Sequence, residues 1–296
     1  MNKNKSHILS NIASEAFYMY SYIPPAPAVY EKPREPSIFI KFVFLILSVL
    51  IVIVTSIIVF TYTWIENIEV YLLSFIAPLL YLQLIWRRDK YEPEPFFYVA
   101  LAVALGAFSV IPALIVELIL DVDTLFSVAI VAPLTEEFFK GIPVFWLARK
   151  REFNDSMDGI VYGFASGVGF ASLENFSYIV YVYRKAIIPS LLRAFLFSIG
   201  HGIYTSITGY AVGRSKEKLN EPTLAYFIGG YIVASLWHAL YNGTIVMSFL
   251  YTKSVTLTLL PSIAVDFLAL TVLLMLIKGA LRREENWGYD KGLAPK

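Results

Sequence analysis

The chain has 296 residues, 57% of them hydrophobic and 16% charged, with a formal net charge of +1. Soluble domains carry about 25% charged residues, so this balance excludes a disordered chain, a coiled coil and a nucleic-acid-binding arm, and no nucleic-acid partner is expected. The absence of cysteine removes disulfide frameworks, thiolate zinc sites, iron–sulfur ligation and a cysteine nucleophile together.

Residues 1–37 are polar and proline-bearing (Pro24, Pro25, Pro27, Pro33, Pro36). They lack the short apolar core and small-residue cleavage site of a signal peptide, and read as a retained, disordered tail. Crossing a hydrocarbon layer of ~30 Å takes about 20 apolar residues. Eight segments approach or meet that length: 38–63, 70–86, 96–120, 124–147, 157–182, 188–212, 223–249 and 256–279. Residues 280–296 form a second polar tail. The expected fold is therefore all-α: a polytopic membrane protein of about eight transmembrane helices in one domain over 38–279, with the lipid bilayer as its solvent. With the N-terminus inside, 19 of the 24 lysines and arginines fall in inner loops and tails. Both termini are accordingly expected in the cytoplasm of a multi-pass cell-membrane protein. No motif sets an oligomeric state.

Charges within the spans need individual explanations, because each is costly at mid-bilayer. Lys41, Asp158 and Lys278 lie near inner ends, where they can snorkel to the interface. Glu117 and Arg193 lie near outer ends and suggest a structural ion pair, and Asp266 is assigned a structural role. Six residues on spans four to seven are left: Glu136, Glu137, Lys140, Glu174, His201 and His238. At 1.5 Å per residue, Glu136 and His201 fall near mid-membrane, His238 about 4 Å and Glu174 about 7 Å further out. Singly, each can serve as an interhelical polar clamp. Four helices delivering carboxylates and imidazoles to one depth point instead to a catalytic or ion-binding centre.

Spacing adds detail. Glu136 and Lys140, His201 and Thr205, and His238 and Asn242 each share a helix face at i, i+4. Lys140 can neutralise one carboxylate, Thr205 can fix His201, and Asn242 can steady His238 or a developing oxyanion. Phe170 can wall Glu174 from lipid. Gly159, Gly163 and Gly167, followed by Gly169, form a small-residue ladder that lets another helix approach closely and draws span five into the bundle interior.

Peptide hydrolysis in a membrane needs a water nucleophile, a base, an oxyanion stabiliser and an acid for the leaving amine. Glu136 or Glu137 can serve as base, and His238 with Asn242 as oxyanion holder or acid. Glu174, His201 and His238 form a candidate Glu-His-His shell for zinc with an open water position; metal-free activation of water by glutamate is the other option. Ser198 lies near His201, but no GxSxG surrounds it. A proton- or cation-coupled transporter uses buried carboxylates too, yet predicts half-chain repeats that are not seen. A catalytically idle scaffold does not call for acid, base and histidine groups together.

These residues resemble one family. Glu136-Glu137-Phe138-Phe139-Lys140 is similar to the EExxK motif of the PrsW intramembrane proteases. Phe170 to Glu174-Asn175 resembles their FxxxE-plus-asparagine motif, His201 their single-histidine motif, and His238 with Asn242 their HxxxN. Tyr91-Glu92-Pro93-Glu94-Pro95 resembles the segment preceding the family core, so the likeness covers about residues 70–245. It implies a multi-helix peptidase fold distantly similar to the type II CAAX prenyl endopeptidases. There the second motif ends in histidine; Glu174 at this position argues for the PrsW branch and against prenylated substrates. The resemblance also implies a single-span membrane protein as substrate, of the anti-sigma-factor kind, cut on its extracytoplasmic side.

Overall fold

The computed structural model describes residues 68–120, 124–182, 184–185 and 187–287. Among them there is no strand, and they form a bundle of nine principal helices. These are α1 (Ile68–Trp86), α2 (Phe96–Phe108), α3 (Val110–Leu120), α4 (Ala132–Leu147), α5 (Ser156–Ser177), α6 (Ile187–Leu192), α7 (Ile199–Leu219), α8 (Leu224–Thr252) and α9 (Val255–Trp287). The expected segment 38–63 and the tail 1–37 lie outside the described residues. The other seven expected segments are all helical.

The helix interruptions have local causes. Pro112 lacks an N–H and its ring displaces the carbonyl of Phe108, so the rod over 96–120 breaks between α2 and α3 at Ser109. Pro133 acts likewise on Ala129. The chain there forms a π turn, Ser127–Val131, as it enters α4. Further π turns, Tyr178–Val182 and Arg193–Phe197, follow α5 and α6.

Among the described residues, four stretches are long and apolar enough to cross a membrane: Phe96–Leu120, Ile187–Leu219, Leu224–Thr252 and Leu257–Glu285. α4 does not qualify because Glu136, Glu137 and Lys140 fall within its 16 residues. α5 does not qualify because glycine, serine and asparagine dilute its apolar content. α4 nonetheless presents Leu134, Phe138, Ile142 and Trp146 to the outside, whereas α5 needs little lipid-facing surface. α5 is the centre of the bundle, buried along nearly its whole length and packed on α7, α2, α1 and α4. Large apolar side chains such as Leu118, Ile119, Phe267 and Met275 instead cover the outside, as a bilayer requires.

The glycine ladder makes the central contact. A Cβ on Gly209 of α7 would fall on the carbonyl of Gly159, and one on Gly159 would fall on that of Gly209. One helical turn further on, a Cβ on Gly163 would lie 2.6 Å from the Thr205 carbonyl oxygen. Gly167 faces the backbone of His201 and Gly202, whereas Gly169 faces α2 at Val103. The ladder thus brings the backbone that carries His201 against the helix that carries Glu174.

Asp158 does not snorkel as expected; it is 1% exposed. It forms a capping box with Asp155, whose Oδ1 accepts from the Met157 and Asp158 N–H groups at 2.6 and 3.1 Å. The adjoining 87–95 loop buries Asp89 and Glu94. Burial, then the nearby Glu94 and Asp155, push Asp89 up to about 9, and burial pushes Glu94 up to about 8.

A methyl group at the α5–α7 crossing has nowhere to go without separating two backbones. Gly209→Ala is expected to lower stability by about 3 kcal/mol, seen as a fall in the midpoint of thermal unfolding in detergent. Gly229→Ala, with nothing within 4 Å of the added carbon, is expected not to.

Candidate active site

Glu136, Glu137 and Lys140 project from one stretch of α4 and are buried together. Lys140 is 0% exposed, and a lone ammonium at that depth would be prohibitively costly. Its Nζ therefore sits 2.5 Å from Glu137 Oε1, 3.3 Å from Glu136 Oε2 and 3.0 Å from His201 Nδ1. The Phe170 ring lies beneath it, 4.5 Å from Nζ to centroid. The lysine thus contacts both carboxylates, where one was expected, and its one charge is shared between them.

The two acids have different surroundings. Glu137 is 0% exposed. Besides Lys140 it accepts from Thr205 Oγ1 at 2.9 Å and faces His238 Nδ1 at 3.0 Å. Thr205 therefore serves Glu137, not His201, because the close α5–α7 contact turns that face of α7 toward α4. Glu136 keeps free lone pairs. It lines a cavity of about 590 Å³ together with Glu174, His201, His238 and Asn242. His201 and His238 meet edge to face with ring centroids 5.2 Å apart. Phe170 stacks on His201 at 5.6 Å and Tyr204 on His238 at 5.4 Å.

Hydrogen-bond partners assign the neutral tautomers. The Lys140 ammonium donates to His201 Nδ1, so Nε2–H of His201 donates to Glu174 Oε2 at 2.8 Å. His238 donates Nδ1–H to Glu137, which leaves Nε2 as its lone-pair nitrogen.

Glu174 is held from its other side by Arg193 Nη2 at 2.7 Å. Arg193 Nε also donates to Asn175 Oδ1 at 3.1 Å, and Asn175 Nδ2 donates to the Ser74 carbonyl at 3.4 Å. Pro78, four residues later, denies that carbonyl its helical partner. Pairing Arg193 with Glu117 is thus corrected: Glu117 accepts from Thr135 at 2.9 Å, and Arg193 belongs to Glu174. Sequence reasoning missed this strap. Its signal was the asparagine directly after Glu174, which shares the arginine.

Asn242 lines the cavity and donates one Nδ2–H to the Val128 carbonyl at 2.9 Å, which leaves its second N–H free to donate. That carbonyl lies in the π turn before α4. Asp266 accepts from the Tyr204 hydroxyl and so supports the ring on His238. Ser198 donates to the Ala194 carbonyl at 2.5 Å within its own chain segment. Glu136, His201 and His238 each offer one ligand atom, all within 4.8 Å of one another. This trio shares His201 and His238 with the expected Glu174, His201 and His238, and His201 would ligate through Nδ1 only on giving up Lys140 or through Nε2 only on giving up Glu174. Two imidazoles and a carboxylate suit zinc.

A model of the PrsW family of intramembrane metalloproteases matches residues 94–276. The chain belongs to the PrsW family. It is 33% identical to Protease PrsW of Oceanobacillus iheyensis over 182 residues, covering 56% of this chain and 79% of the relative. It is 27% identical to Protease PrsW of Bacillus subtilis over 174 residues, covering 56% and 78% respectively. No solved structure matches the chain significantly. The protein is thus a multi-pass membrane peptidase with a bilayer around it, and a transporter is not favoured.

Arg193 holds Glu174 and Asn175 in place, so its role is to position. Arg193→Ala is expected to lower cleavage about 10–100-fold with KM little changed, and Arg193→Lys to recover only part of it, because a single ammonium lacks the fork that reaches Glu174 and Asn175 from separate nitrogens.

Proposed function

We propose that this PrsW-family protease cleaves a single-span, membrane-anchored protein with a water activated by Glu136. The observation that carries this reading is the division of labour between the two acids: Glu136 faces the cavity beside both histidines, while Glu137 is fully buried and engaged. Glu136 takes a proton from water as the oxygen attacks the scissile carbonyl carbon. It returns that proton to the amine nitrogen as the C–N bond breaks. The free N–H of Asn242 steadies the oxyanion. Lys140, 3.3 Å away, stabilises the charged form of Glu136, and Glu174 orients His201. Were a zinc ion bound, Glu136, His201 and His238 would hold it, and it would supply a Lewis acid that acidifies water.

Glu136→Gln and His238→Ala are each expected to reduce cleavage of a reconstituted single-span substrate by about 10²–10⁴-fold. Unchanged cleavage in both would sink the assignment. Metal analysis of the pure protein decides between the two forms of the mechanism. Full activity with less than about a tenth of an equivalent of transition metal removes zinc; activity that tracks zinc content requires it.

The reading includes eight spans with both termini cytoplasmic. It is supported by the clustering of Arg87, Arg88, Lys90, Arg149, Lys150 and Arg151 at one end of the bundle. Because the chain has no cysteine, single introduced thiols report topology without background. Lys185→Cys and Lys253→Cys are expected to react with an impermeant maleimide in intact cells, and Lys150→Cys only after permeabilisation.

A further inference from the structure

At the far end of α5, about 24 Å from Glu174 by helical rise, lies a second group of acids that proteolysis does not use. Asp89 and Glu94 come from the α1–α2 loop and Asp158 from the first turn of α5. They are 3%, 3% and 1% exposed. Each is anchored through one oxygen. Asp89 Oδ1 accepts from the Glu92 N–H at 3.4 Å, and Glu94 Oε2 accepts from the Tyr162 hydroxyl. Asp158 Oδ2 accepts from the Asn154 and Asp155 N–H groups at 2.6 and 3.1 Å.

The second oxygens are the informative ones. Asp89 Oδ2 and Glu94 Oε1 are buried with no hydrogen-bond partner, and so is Asn154 Oδ1 beside them. All three are acceptors, and the Glu94 and Asp158 carboxyl groups face each other within hydrogen-bond reach, so what the group lacks is a cation or a proton shared between acids. The basic residues of the region do not supply it. Arg87, Arg88 and Lys90, which flank Asp89, are exposed. Arg214 and Arg283 are paired with Glu217, and Lys216 turns to the Lys150 carbonyl. Among the described residues, none of the three acids is ion-paired with a basic side chain. Buried carboxylates without compensation are strongly unfavourable, yet this loop is folded onto the N-terminus of the central helix.

One oxygen from each acid lies within 4.8 Å of the others. Oxygens around one cation at about 2.3–2.6 Å span such distances. We propose that Asp89, Glu94 and Asp158 bind a hard divalent cation of the Ca²⁺ or Mg²⁺ class, which fastens the α1–α2 loop to the start of α5. An all-oxygen set without imidazole or thiolate selects that class over zinc or copper. The site is separate from the histidine-bearing centre, and its cation is structural.

The test uses the full chain in lipid nanodiscs, stripped with EDTA and titrated with Mn²⁺, Ca²⁺ or Mg²⁺. About one Mn²⁺ per chain is expected to bind by loss of the free-ion EPR signal, and Ca²⁺ or Mg²⁺ to displace it. At a hundredfold excess over Kd, Ca²⁺ or Mg²⁺ is expected to raise the unfolding midpoint by about 5 °C. Asp89→Asn and Glu94→Gln are expected to abolish both effects while remaining folded in EDTA, since each removes like-charge repulsion. His201→Ala/His238→Ala is expected to keep them. Three results overturn the proposal: no cation effect on folded wild type, as two acids sharing protons would give; an undiminished effect in Asp89→Asn and Glu94→Gln; or loss of binding in the double-histidine variant.

Discussion

Lys140 is the constraint around which the other parts of the centre are arranged. A fully buried ammonium in a membrane bundle persists only where anions and acceptors surround it closely. Glu137, Glu136 and His201 do so at 2.5, 3.3 and 3.0 Å. Satisfying Lys140 from α4 and α7 at once fixes the crossing of those helices and the tautomer of His201. It also leaves Glu136 as the acid with lone pairs to spare. The chemistry assigned to the cavity follows from how the lysine divides the two glutamates.

That arrangement requires α7 to lie very near α5, and the Gly159–Gly209 contact allows it. Backbone contact at the crossing places His201 where Glu174 can accept from it. Arg193, Asn175 and the carbonyl released by Pro78 then hold Glu174 from the other side. The polar groups form a continuous chain from α1 to α8 across the bundle. Such a network orients ligating or proton-carrying imidazoles more firmly than single contacts can.

Much of this was legible in the sequence. Apolar length marked every described helix, and the in-span charges that snorkelling did not explain marked the centre. Glycine spacing correctly indicated a tight helix pair, because a missing Cβ acts at fixed positions along a helix. What escaped was pairing between helices. Arg193 was matched with Glu117 by depth alone, although rotation about the helix axis gives it to Glu174. Thr205 was matched with His201 by i, i+4 spacing, although a residue on another helix claimed its hydroxyl. Asp158 looked like a snorkelling end residue, because sequence does not reveal that the 87–95 loop folds back over it. Depth and face can be read from one helix; partner choice depends on how neighbouring helices rotate.

The account depends on Lys140 and Glu137 being bound to each other as a buried pair. A double-mutant cycle of Lys140→Met and Glu137→Gln, followed by reversible unfolding in mixed micelles, measures this directly. Lys140→Met leaves Glu137 without its cation and is predicted to cost about 3–5 kcal/mol, and Glu137→Gln, which leaves Lys140 only Glu136 at 3.3 Å as an ion-pair partner, somewhat less. The double substitution removes both charges and is predicted to cost well under the sum, with a coupling of about 2 kcal/mol or more. Simple additivity of the two single effects would contradict the account.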